Sequence, residues 1–182
     1  MLKETTMTRS LSLTTLFSLL LCGIAGAQDK DPVTTVVRNM QQRQQKNIVA
    51  AAQEMPAEKY GFKPTPQQMS FGRLILHITD ANNFLCSQAG SVPAPKGEEL
   101  KDDAPKDKLV GALKASFDFC ETALAKVDDS KLNEHVKSFD GSEKSKAWAL
   151  IVLTGSWADH YGAQSFYLRL SGLLPPTAEK QK

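Results

Sequence analysis

The sequence predicts an all-α protein built as a four-helix bundle, and three observations predict it. Apolar residues recur at helical spacing in four stretches; the 11 Gly and 9 Pro leave long runs free of both; and no segment alternates apolar and polar residues as a half-buried strand would. A length of 182 residues, 41% of them hydrophobic, suits one compact domain with a real core. The net charge is only +2, with both signs scattered along the chain. That balance excludes an acidic tail and a disordered chain, and it lacks the concentrated basic face of a nucleic-acid binder.

The N-terminus comes first. Lys3 and Arg9 precede an apolar run from Leu11 to Ile24, followed by Ala25-Gly26-Ala27 and Gln28. A basic start, a short greasy centre and a small-x-small exit is the layout of a secretory signal peptide, and Met7 is a second candidate start for it. The alternatives are an anchoring helix and lipid attachment at Cys22. The run is shorter than the roughly 20 residues a membrane span needs, and Leu21 is bulky where a small residue should precede a lipidated cysteine. The expectation is therefore cleavage after Ala27, leaving residues 28–182 as one exported domain, periplasmic or extracellular, with no stable membrane span. Its net charge is +1 and its cysteines are Cys86 and Cys120. An extracytoplasmic compartment permits a disulfide between them; two buried free thiols acting as small apolar residues are the alternative, and spacing does not decide. No Cys-x-x-Cys-His is present, which excludes a c-type haem.

The first helix follows Asp31-Pro32, an N-cap and first-turn pair, with Val33, Val36, Val37, Met40, Asn47, Ile48 and Ala51 at helical spacing. Arg38, Gln41, Gln42, Arg43 and Gln45 are read as its solvated face. Pro56, Gly61, Pro64 and Pro66 make the next segment a linker. A second helix starts near Gln67 or Ser70 and runs to about Ala89, and a long loop carrying Pro93, Pro95 and Pro105 follows. Leu109, Leu113, Phe117, Cys120, Leu124 and Val127 mark the third helix. After a polar crossover through Asp128, Asp129, Asp140 and Gly141, the last helix is expected from near Ser142, with Glu143 in its first turn, to Gly172. Four such helices joined by loops of unequal length can bury one core.

Chemistry, if the chain has any, lies in two histidines. At about 100° per residue, His77 falls among Leu74, Ala81 and Phe84, and His160 shares a face with Leu153, Trp157 and Tyr167. Ser156 and Gln164 lie one turn either side of His160. Two inward-facing histidines on separate helices form a natural metal pair, although a hydrogen-bonded core histidine fits the same spacing. His135, near Asp140, is expected to be exposed. No His-Glu-x-x-His, Walker loop or Gly-x-Ser-x-Gly elbow suggests other chemistry. Phe71, Leu74 and Phe84 read as core, and Trp157, Tyr161, Phe166 and Tyr167 as packing residues. Arg169 reads as complementing a helix C-terminus.

The segment Met55-Pro56-Ala57-Glu58-Lys59-Tyr60-Gly61-Phe62, running on through Phe71-Gly72 to Leu76-His77-Ile78, resembles the DinB/YfiT-like superfamily. So do Asp159-His160-Tyr161-Gly162 and Tyr167-Leu168-Arg169-Leu170-Ser171-Gly172 with Pro175-Pro176, and the likeness spans roughly Pro32 to Pro176. The resemblance implies a DinB-like four-helix bundle, up-down with long crossover loops, often a homodimer. It also implies a divalent metal on three histidines, one from the second helix and two from a His-x-x-x-His pair on the last. His77 and His160 match two of these positions, and the third falls on Ser156, a poorer ligand than imidazole for a borderline-soft metal; the ion expected is Zn, Ni or Mn. Asp80, Asp159 or Gln164 would be the substitutes, and Asp159 could instead orient a histidine. The function implied is that of a metal-dependent hydrolase or transferase acting on a small-molecule substrate. The alternative is a non-catalytic, metal-free bundle that serves as a ligand-binding or protein-interaction module, with no role for nucleic acid.

Overall fold

The computed structural model describes residues 30–179. The expected signal peptide, its cleavage point and Cys22 lie outside the described residues. Four long helices carry the fold: α1 (Pro32–Glu54), α2 (Phe71–Gly90), α3 (Lys106–Leu124) and α4 (Lys146–Leu170), with a short α5 (Pro176–Glu179). Single 3-10 turns occupy Ala57–Lys59 and Asp129–Lys131, and a small antiparallel hairpin pairs β1 (His135–Lys137) with β2 (Glu143–Ser145), Val136 facing Lys144.

Helix directions follow from which residues meet. Asn82 with Ser116 and Cys86 with Cys120 advance together, so α2 and α3 are parallel. Phe71 with Tyr167 and Asn82 with Trp157 run in opposite senses, so α2 and α4 are antiparallel. Arg38 reaches Leu124 while Lys106 reaches Gln53, which makes α1 and α3 antiparallel, and Ile48 with Gln164 and Lys59 with Ser171 make α1 and α4 parallel. Loop 91–105 is therefore the long crossover that carries the chain from one end of the bundle back to the other. Each helix packs on two neighbours, in the ring order α1, α3, α2, α4.

The third helix follows its sequence pattern closely: Leu109, Leu113, Phe117, Cys120 and Leu124 are all buried. Cys86 and Cys120, left open between thiols and a bridge, form a disulfide with Cα atoms 5.1 Å apart. α2 and α3 approach so closely beside it that a Cβ on Gly90 would stand 2.8 Å from the carbonyl oxygen of Ala123. Ser70 caps α2 through the N–H of Arg73, within the expected start.

Two expectations change. On α1 the buried stripe is Thr34, Val37, Gln41, Gln44, Ile48, Ala51 and Ala52, whereas Val33 and Val36 are exposed. The glutamine face is thus not all solvated: Gln41 is buried and donates to the carbonyl of Phe117 at 3.1 Å, and Arg38 binds the carbonyls of Leu124 and Val127. These side chains add hydrogen bonds to carbonyls on α3 and just beyond its end, Arg38 at the C-terminus, where carbonyls lack partners from the helix itself. The second change is at the last helix, which starts at Lys146 rather than near Ser142. Gly141 adopts φ +79°, a conformation that favours glycine, and turns the chain into β2. Ser145 then caps α4 by accepting from Trp148 N–H, and buried Lys146 pairs with Glu134 at 2.5 Å. Among the described residues no helix is long and apolar enough to cross a membrane.

Candidate functional site

The α2–α4 seam brings the two inward histidines together. His77 and His160 are both half-buried, with ring centroids 4.9 Å apart and planes at 85°. Above and below them the seam is fixed by packing and by one buried hydrogen-bond chain. Phe71 meets Tyr167 on one side, and Tyr167 donates its hydroxyl to the carbonyl of Met69 at 2.7 Å. On the other side Trp157 donates to Asn82 Oδ1, and Asn82 Nδ2 donates to Ser116. The histidine pair is thus held between two rigid anchor points rather than on a loop.

Ser156 sits one turn before His160, its hydroxyl 2.9 Å from Nδ1. Burial lowers the pKa of His160 below the usual imidazole value, the neighbouring His77 lowers it further, and Asp159 together with a hydrogen bond to the Ser156 main chain pushes the other way. The downward shift favours the neutral ring, and the Ser156 hydroxyl can either donate to Nδ1 or accept from it.

A scan of known families matches residues 41–163 to the model described as the DinB superfamily. The chain belongs to the DinB superfamily. Among solved structures it is similar to a DinB-like protein of Bacillus subtilis, YjoA, with 16% identity, a TM-score of 0.62, and coverage of 75% of this chain and 92% of that one. A DinB-like protein of Bacillus cereus is similar at 19% identity and a TM-score of 0.61, covering 74% of this chain and 90% of that one. At such identities the likeness shows the fold, a DinB-like all-α bundle. Among curated proteins none matches.

In this DinB-superfamily chain the structure brings His77, His160 and Ser156 into one locality. Asp80 and Asp159 are exposed, and among the described residues no group of three or more His, Cys, Asp or Glu converges as a metal cage. His135 is exposed as expected and faces Glu143 at 3.3 Å. Of the packing residues, Phe71, Leu74, Trp157 and Tyr167 are buried, Phe84 is half-buried against Phe139 on the hairpin, and Phe166 is exposed on the outer face of α4. The last turn of α4 carries Arg169, as its reading as a dipole partner requires.

Sequence reasoning missed the Asn82 bridge, although Asn82 lies three residues past Thr79 and four before Cys86, on the buried face of α2. A separate cleft of about 630 Å³ opens at the N-terminal ends of α2 and α3, lined by Tyr60, Lys63, Ser70, Asp102 and Lys106 among others. Its lining holds Ser70, two lysines and surface carboxylates but neither histidine, and burial raises the Tyr60 hydroxyl well above its ordinary pKa.

Proposed function

We propose that the protein is an exported, metal-binding member of its superfamily, holding a divalent ion between His77 and His160 and acting on a small-molecule substrate as a hydrolase or transferase. The observation that carries this reading is the geometry of the two imidazoles. A metal lies about 2.0–2.1 Å from a ligating nitrogen, so two rings on one ion at near-tetrahedral angles have centroids about 5 Å apart, and the observed separation is 4.9 Å. Ser156 adds the second element: a hydroxyl 2.9 Å from Nδ1 that, when it accepts, would hold His160 in the tautomer whose Nε2 is free to ligate, as partners of metal-bound histidines do. Imidazole donors suit Zn and Ni better than Mn. A bound ion would supply a Lewis acid to polarise a substrate oxygen, while the chain's own part is to orient two imidazoles on rigid helices.

Export is supported by the leader-like N-terminus and by the Cys86–Cys120 disulfide, which suits an oxidising compartment. A homodimer is supported by the outward face of α4, where Ile151, Phe166 and Leu170 are exposed.

The second reading, a metal-free ligand-binding or protein-interaction bundle, is favoured by the donor count, since only two of three expected imidazoles are present and Ser156 is engaged with His160. Metal titration separates the two. The purified protein, without a His tag, is titrated with zinc, nickel and manganese beside His77→Ala and His160→Ala. Near-stoichiometric metal in the native chain, lost in both variants, is the expected result. No binding at micromolar metal discards the first reading in favour of the second.

A further inference from the structure

Along the outer edge of the α2–α4 seam, the histidine pair stands at one end and three aromatic rings stand at the other. On α2, His77, Ala81 and Phe84 share one flank at i, i+4 and i+7, and all three are half-buried. On α4, His160, Ser156, Val152 and Trp148 step back four residues at a time, half-buried as well. The helices are antiparallel, so Phe84 and Trp148 lie on the same side of the histidines, toward the hairpin. Phe139, between the hairpin strands, joins them: it stacks on Phe84 with centroids 4.6 Å apart and meets Trp148 at 6.2 Å in a T-shaped contact. Phe139 is nevertheless 62% exposed, so much of its ring surface is open to a ligand. At the helical rise of about 1.5 Å per residue, Phe84 lies roughly 10 Å along α2 from His77. Between the two ends the rows carry only Ala81, Ser156 and Val152, which are small or apolar and bear no charge.

We infer that Phe84, Phe139 and Trp148 are the apolar subsite of the histidine site, and that its substrate is an amphipathic small molecule. Its polar oxygen group lies at His77 and His160, and an aromatic or aliphatic group lies about 10 Å away on the three rings. The polar end of this inference rests on the metal-binding reading above; the apolar end rests on the ring cluster alone. Two phenylalanines offer no hydrogen-bonding group, so the subsite selects by apolar area and ring stacking, while the imidazole end fixes orientation. An uncharged strip between the ends suits a hydrocarbon linker rather than a sugar or phosphate chain.

The test is calorimetric titration of the zinc-loaded protein with acetohydroxamate and with phenylbutyryl hydroxamate, which share a metal-binding head and differ in the tail. The native chain is expected to bind the longer ligand roughly tenfold or more tightly. Phe139→Ala should remove most of that gain and leave acetohydroxamate binding unchanged, and since Phe139 is exposed the variant keeps the bundle intact. Trp148→Leu, which keeps the position apolar, should lower the same gain. If acetohydroxamate binds and the tail adds nothing, or adds as much in Phe139→Ala, the subsite is wrong and the metal reading stands. If the chain binds no metal, phenylbutanol titrated against the metal-free protein decides the apolar end by itself. Movement of the Trp148 indole N–H signal in 15N NMR, lost in Phe139→Ala, supports the subsite, and a signal that stays still at millimolar ligand discards it along with the metal. A dimer that becomes a monomer in Phe139→Ala, with both hydroxamate affinities unchanged, would make the rings a contact between copies of the chain and overturn the inference.

Discussion

Asn82 Oδ1 accepts the indole N–H of Trp157 at 2.7 Å, and its amide nitrogen donates to Ser116 Oγ at 3.0 Å, so one buried side chain ties α4, α2 and α3 together. Ser116 in turn donates to the carbonyl of Leu113, and every polar atom along this chain finds a partner. Removing Asn82 strands the indole N–H in the core and opens a cavity. Asn82→Ala is expected to destabilise the protein by about 2–4 kcal/mol, read as a shift in urea midpoint at unchanged slope. A loss below about 0.5 kcal/mol would show that water replaces the amide without cost.

The disulfide closes a loop across the long crossover, with 34 residues of sequence separation between Cys86 and Cys120. Constraining a loop of that length in the unfolded chain is worth about 3–4 kcal/mol in the loop-entropy account. The double variant Cys86→Ala/Cys120→Ala should lose stability of that order and become indifferent to reductant, whereas the native chain should lower its Tm when reduced. Equal melting with and without reductant in the native chain would mean that the bridge contributes nothing.

The contrast between α3 and α1 shows what periodicity can carry. On α3 the buried positions are all apolar or cysteine apart from Ser116, so the wheel points at the core unaided. On α1 the core side includes Gln41 and Gln44, while Val33 and Val36 face outward, so counting apolar residues rotates the stripe toward the wrong side. Tertiary partners decide there: the buried Gln41 amide donates to the Phe117 carbonyl and to Gln45, which satisfies its polar end in the core. The hairpin was hidden because strands of three residues, His135–Lys137 and Glu143–Ser145, are too short to show an alternation. At the site, the wheel put His77 and His160 on inward faces, and the structure adds that they meet. The part Ser156 plays could not be read from spacing, because it depends on one rotamer placing a hydroxyl 2.9 Å from Nδ1.

Asp129 supplies the cap that Asp31 was expected to provide. Its carboxylate accepts the N–H groups of Val33 and Thr34, both at 2.9 Å, while Asp31 Oδ1 accepts the N–H of Asp129 in return. Desolvation raises the Asp129 pKa, but the hydrogen bonds from Val33 and Thr34 and the charge of Arg38 outweigh it, and the net shift is downward from 3.8. A carboxylate with a lowered folded-state pKa stabilises the fold above its unfolded pKa, and that stability is lost as pH falls through the folded value. The native chain should therefore lose more stability than Asp129→Asn on acidification from neutral pH to below about pH 4. Measured as urea midpoints, a native-minus-variant difference that stays constant across that window would rule out a role for the charge.

Ser156 offers the sharpest division between the two functional readings. If its hydroxyl pins the tautomer of His160, Ser156→Ala removes that partner of Nδ1, and zinc should bind about tenfold more weakly. The ring nitrogens of His160, followed by 15N NMR in the metal-free protein, should then show a mixed tautomer in place of the Nδ1-protonated form. Ser156→His acts in the opposite sense, placing a third imidazole one turn before His160, and should tighten zinc markedly with the helical content unchanged. Two imidazoles four residues apart on one helix can share an ion, so a gain needs no movement of α4. If Ser156→His folds and gains no affinity, the α2–α4 seam is too closed to admit an ion beside His77, and the metal-free reading takes precedence. If Ser156→Ala and the native chain bind zinc equally, the hydroxyl serves only to satisfy a buried ring nitrogen.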